Sequence, residues 1–71
     1  MLPTIYLAYI RWEGVEGATG YEIWKDGVRV STAGPKARTT RVSVDDATVV
    51  TIVDLPARSR EQTIDFAQVT G

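Results

Sequence analysis

Apolar and polar residues alternate along most of this chain, and no window shows a sustained helical period. From about Thr4 to Glu13, alternation places Tyr6, Ala8, Ile10 and Trp12 on one face of a strand and Ile5, Leu7, Tyr9 and Arg11 on the other. Both faces are largely apolar. The stretch GVEGATG follows, and its glycines at 14, 17 and 20 mark it as a loop. Next comes YEIWKDGVRVS, where Asp26 and Gly27 form the dipeptide that a type I′ turn prefers. This predicts a hairpin of Tyr21 to Lys25 and Val28 to Ser31. In its first arm Tyr21 and Ile23 point one way, Glu22 and Trp24 the other.

The second half reads similarly. Gly34 and Pro35 mark a loop. TTRVSV, the polar turn DDAT and VVTIVDL then predict a second hairpin, with Val42 and Val44 set against Val50 and Ile52. Only one of Val49 and Val50 can point inward, which leaves the register open. PARSREQ is a charged loop, and TIDFAQV is a final strand with Ile64 and Phe66 on one face. About six short strands at regular spacing predict an all-β fold, a small antiparallel β-sandwich or barrel forming a single domain over residues 1–71.

A domain of 71 residues buries only about 60% of its unfolded surface, so its stability is marginal. The chain has neither Cys nor His. A disulfide or a Cys/His zinc site cannot reinforce it, and the two usual nucleophile and base partners of catalysis are missing. No enzyme, no metal and no cofactor is expected. Eight basic and nine acidic residues are interspersed, a pattern that offers nothing to nucleic acid or to an acidic lipid surface. The opening MLPTIYLAYI lacks a basic leader and is about half a membrane span, so it reads as a strand of the mature protein, with no signal peptide and no membrane contact. DDAT lacks the spacing of a calcium loop, and GVEGATG lacks the Lys-Ser/Thr ending of a phosphate loop.

Laid out this way, the chain resembles a fibronectin type III domain or a close immunoglobulin-like relative. The carrying residues are Ile10 to Trp12, GATGYEIWKDG from Gly17 to Gly27, and VVTIVDLP from Val49 to Pro56, and the likeness spans roughly residues 8–69. The resemblance implies core positions at Trp12, Tyr21, Ile23, Val50, Ile52 and Leu55, to which alternation adds Ile10, Ile64 and Phe66. It also implies departures. The family's loop after the leucine ends in a Tyr that bonds back to it, whereas this chain has Glu61 to Ile64 there. The chain begins near the family's second strand and stops where the sixth would end, so the first and last strands are expected to be missing or shortened. Sheets left open in that way invite other chains to cover them.

Two sets of residues are candidate binding positions. Trp24 should lie on the outer face of its sheet, either packed across the strand against Arg29 or another side chain of this molecule, or presented to a partner protein or a sugar ring. Ile5, Leu7 and Tyr9 lie opposite the Trp12 face. They are either covered by another part of the chain or form an exposed apolar strip of the kind that marks an interaction site. The leading expectation is a structural or interaction module in a multi-chain assembly, its partners being other protein chains, copies of itself included. Fibronectin type III-like domains recur as tail and capsid accessory parts of bacteriophage virions, and a small chain without Cys or signal suits a virion protein made in the host cytoplasm. The alternative is a carbohydrate or cell-surface binding module that uses Trp24 as a stacking platform. A piece of a larger modular protein is a third reading.

Overall fold

A computed structural model describes residues 4–70. Six strands form two antiparallel sheets: β1 (Tyr6–Arg11), β2 (Gly20–Lys25), β3 (Val28–Ala33), β4 (Thr39–Val44), β5 (Val49–Leu55) and β6 (Glu61–Asp65), followed by a short helix α1 (Phe66–Thr70). One sheet pairs β1 with β4, and the other has the order β3-β2-β5-β6. Their facing sides share one core, in which Ala8, Ile10, Val42 and Val44 of the smaller sheet meet Tyr21, Ile23, Val50 and Ile52 of the larger. The chain is therefore a small all-β sandwich, the architecture that the alternation predicts.

The β2–β3 hairpin forms where Asp26 and Gly27 require it. Both take positive φ, 50° and 81°, as a type I′ turn demands. The turn is also tied to β5: Asp26 N donates to Val49 O and Val49 N donates to Asp26 Oδ1, both at 2.9 Å. A register shift between Ile23 and Trp24 lets Trp24 sit opposite Arg29.

The expected second hairpin does not form. β4 pairs with β1, while β5 pairs with β2 and β6, so the chain crosses from one sheet to the other at DDAT. Val42 and Val44 meet Val50 and Ile52 across the core, not along a ladder. The reason lies in the turn. No residue from Asp45 to Thr48 has the positive φ of a tight hairpin reversal. Asp45 instead folds the segment locally, its Oδ1 accepting from Ala47 N at 2.9 Å and from Thr48 Oγ1 at 3.0 Å. Thr48 is buried and its carbonyl accepts from Phe66 N at 3.0 Å, so the turn opens directly into the β5–β6 ladder. Val50 takes the inward position and Val49 is half-buried.

Two further expectations are corrected. The last strand ends at Asp65, because Asp65 Oδ1 accepts from Ala67 N at 3.0 Å and starts a helix in the way an N-cap does. Phe66 is nonetheless buried, with its ring edge-on to Tyr6 at 6.3 Å, and Ile64 is half-buried beside the core. Leu55 is half-buried and lies outside the core cluster, because it ends β5 where the chain turns away.

Trp12 and Tyr21 pack together in the core, their rings 5.6 Å apart. Tyr21 keeps its hydroxyl satisfied by accepting from Val15 N at 3.0 Å, and Arg38 lies 5.7 Å from its ring. Burying such rings supplies the largest share of stability that a domain of this size can gather.

Candidate interaction surfaces

The first surface is β1 itself. Its inward residues Ala8 and Ile10 are buried, while on the outer face Ile5 is 69%, Leu7 51% and Tyr9 77% exposed. No other described element covers them, so of the two readings of these residues the structure places them in an open apolar strip. Across the ladder, Leu7 faces Ser43 and Tyr9 faces Arg41.

β1 is also an edge strand. Trp12 N donates to Arg38 O at 2.9 Å, which fixes the parity of the β1–β4 ladder. In an antiparallel pair every second residue directs both its N–H and its C=O at the partner. With Trp12 and Arg38 as such a pair, Ala8 and Ile10 bond to β4, whereas Leu7, Tyr9 and Arg11 direct their main-chain groups outward. No described strand meets them.

β1 and β6 border the same open side of the sandwich. At one end Tyr6 touches Phe66. At the other end Gln62 reaches across to the main chain of Glu13, and Arg60 forms an ion pair with Glu13 at 3.0 Å. Beside the Glu13 closure lies a shallow cleft of about 470 Å³, with Trp12, Ile52 and Ile64 as its apolar lining and Arg11, Glu13, Arg60, Gln62 and Thr63 around them. Trp12 is buried, and its indole N–H has no acceptor among the described residues.

The second surface is the outer face of the larger sheet. Glu22 lies there by parity but is buried all the same. Its carboxylate accepts from Arg29 at 3.0 Å, from Arg58 at 2.7 Å and from Trp24 Nε1 at 3.3 Å. The Arg29 hydrogen bond acts most strongly to hold the Glu22 carboxyl below its ordinary value. Burial opposes it, while the Trp24 indole and the charges of Arg58 and Arg29 reinforce it. Trp24 is thus half-buried, opposite Arg29, with its one donor committed. Arg58 reaches Glu22 from the β5–β6 loop, where it holds a left-handed φ of 51°.

That loop turns around Asp54. Its buried carboxylate accepts from Arg60 N at 2.7 Å, Ser59 N at 3.2 Å and Ser59 Oγ at 3.0 Å. Burial is the largest single influence on Asp54 and pushes its carboxyl up. The Arg60 and Ser59 amides and the Ser59 hydroxyl together outweigh it, so the group stays below its ordinary value.

The sequence pattern identifies the β1 strip and Trp24 but not Glu22, Arg58 or Asp54. Parity assigns a side chain to a face and says nothing of what folds over that face. Among the described residues no group of His, Cys, Asp and Glu is arranged to hold a metal ion, and no helix is long and apolar enough to cross a membrane. The class that these features define is a small two-sheet sandwich with one bare apolar edge strand and one charged outer face. Compared with family models, curated proteins and solved structures, the chain has no significant match.

Proposed function

We propose that this chain is a non-catalytic interaction module of a multi-chain assembly, of the kind that small fibronectin type III-like accessory proteins provide in the tail or capsid of a phage virion. One observation carries the reading: Leu7 and Tyr9, with Ile5 just ahead of the strand, stand exposed on one face of β1, whose outward main chain is also unpaired. A small domain gains nothing for its own stability from such an arrangement, whereas a neighbour that covers it gains apolar burial and a ladder of hydrogen bonds together. The strand order supports the family likeness too, since two strands facing four matches a fibronectin type III-like sandwich whose first strand has no counterpart among the described residues.

Mass spectrometry of purified virus particles from the source of this sequence tests the virion context, and sedimentation across a concentration series tests association. Recovery of the chain in particles in stoichiometric amounts is the expected result. A chain absent from particles that also neither self-associates nor binds another protein contradicts the proposal.

Carbohydrate binding at Trp24 is the weaker reading. The indole N–H and the Arg58 guanidinium, the donors that a sugar would need there, are already engaged by Glu22.

A further inference from the structure

We propose that the outer edge of β1 takes up one extended segment donated by a different protein, which pairs with Leu7, Tyr9 and Arg11 and closes the cleft over Trp12. The inference rests on the interaction-module reading and goes further by naming the edge and the chemistry of its occupant.

The choice of edge follows from the residues that each edge presents. The sandwich has four edge strands, and three of them are guarded. β6 directs the main chain of Glu61, Thr63 and Asp65 outward, because Phe66 N bonding Thr48 O sets the opposite parity for Gln62 and Ile64. Two carboxylates therefore flank that edge. β4 carries Arg41 on its outward positions, and β3 is bent by the register shift and carries Arg29. β1 has Arg11 only at its end, and its other outward residues, Leu7 and Tyr9, are apolar and exposed. An edge that presents exposed apolar residues beside three that present charge is the place where strand addition gains most.

The choice of occupant follows from the neighbourhood. Outward N–H and C=O groups repeating at every second residue are met in full only by another extended backbone. A second copy pairing through its own β1 is disfavoured. β1 and β6 share one side of the molecule, so joining two β1 edges would bring two β6 edges together, with Glu61 and Asp65 of each copy facing like charges. A single donated strand brings no such edge with it. Its inward side chains would sit over Trp12, Ile52 and Ile64. Arg11 and Arg41, on the same outer face as Tyr9, form no ion pair among the described residues. The donated segment is accordingly apolar at alternate positions and carries a carboxylate towards the Arg11 end.

The test uses the full chain labelled with ¹⁵N and, as probe, a capped peptide that alternates valine and threonine and ends in glutamate. Two variants accompany it. Tyr9→Pro removes an outward N–H without breaking a bond to β4, a substitution that edge positions accept. Trp24→Ala alters the opposite surface. The expected result is slowed amide exchange at Leu7, Tyr9 and Arg11 on peptide addition, by about tenfold or more, lost in Tyr9→Pro and retained in Trp24→Ala. Thermal unfolding of Tyr9→Pro within a few degrees of the parent shows that the loss is not misfolding. Protection of those amides before any peptide is added, peptide binding that Tyr9→Pro leaves unchanged, or no peptide binding at all overturns the edge assignment. If the chain still enters particles or binds a protein in that case, the broader reading survives the loss of the narrower one.

Discussion

The side-chain amide of Gln62 pairs with the main chain of Glu13 as a neighbouring strand would: Gln62 Oε1 accepts from Glu13 N at 2.8 Å, and Gln62 Nε2 donates to Glu13 O at 2.9 Å. One residue of β6 thereby ties the larger sheet to the end of β1 across the open side. Gln62→Ala should lower stability by about 1 kcal/mol, in the range of a solvent-accessible hydrogen-bonded contact. Gln62→Glu should be at least as harmful, because a carboxylate cannot donate to Glu13 O and stands beside the Glu13 charge. Urea unfolding followed by tryptophan fluorescence measures both, and a Gln62→Glu protein as stable as the parent would refute the pairing.

The two tryptophans should respond differently. Trp12→Ala removes a ring buried against Tyr21 and should cost about 3 to 5 kcal/mol, a large part of the total for so small a domain. Trp24→Ala takes away a half-buried ring and one donor to Glu22, and should cost clearly less while leaving the fold intact. Equal losses in calorimetry would mean that Trp24 supports the core as much as Trp12 does, against its half-buried place on the outer face.

Tyr21→Phe isolates one hydroxyl. Without it Val15 N loses its acceptor and the GVEGATG loop its attachment to the core, at about 1 kcal/mol. Faster amide exchange at Val15 and Ala18, with the β2 amides unaffected, is the local signature to seek.

Acid should weaken the fold through Glu22, Asp54 and Asp45, all of whose carboxyls lie below their ordinary values of 4.5, 3.8 and 3.8. For Asp45 the Ala47 amide is the first cause and the Thr48 hydroxyl the second, against the opposing effect of burial. A depressed folded value means that the unfolded chain binds protons first. The stabilisation is therefore complete above the ordinary values and disappears as pH falls through the lower, folded ones. Urea midpoints should be flat near neutrality and drop below about pH 5. Glu22→Gln and Asp54→Asn should each reduce that slope while lowering stability at neutral pH, and an unchanged slope in both would show that the acid sensitivity arises elsewhere.

What the sequence makes legible is local. Asp26 and Gly27 between alternating arms suffice to place a hairpin, and parity along β1 and β2 correctly separates Ile10 and Ile23 from Leu7 and Glu22. The pairing of β4 with β1 is not legible, since Val42 and Val44 have the same pattern whether their partners lie alongside or across a core. The choice rests on the φ values of Asp45 to Thr48, and DDAT does not announce them. The helix was hidden by Ile64 and Phe66, whose two-residue spacing continues a strand pattern through the point where Asp65 ends it. Burial of Glu22 depends on Arg58, distant in sequence, so no local window contains it.

Four strands facing two leaves a margin. β3 is exposed along almost its whole length, Val28 by 62% and Val30 by 50%, because nothing in the smaller sheet reaches that far. Its attachment is a ladder to β2 and the Arg29 contact with Glu22, with almost no oil beneath it. Peeling it away would uncover little apolar surface, so its opening should be less expensive than global unfolding and set by those few polar links. The molecule thus joins a rigid nucleus on β2 and β5 to a detachable hem, where foreign residues can be carried without disturbing the interior.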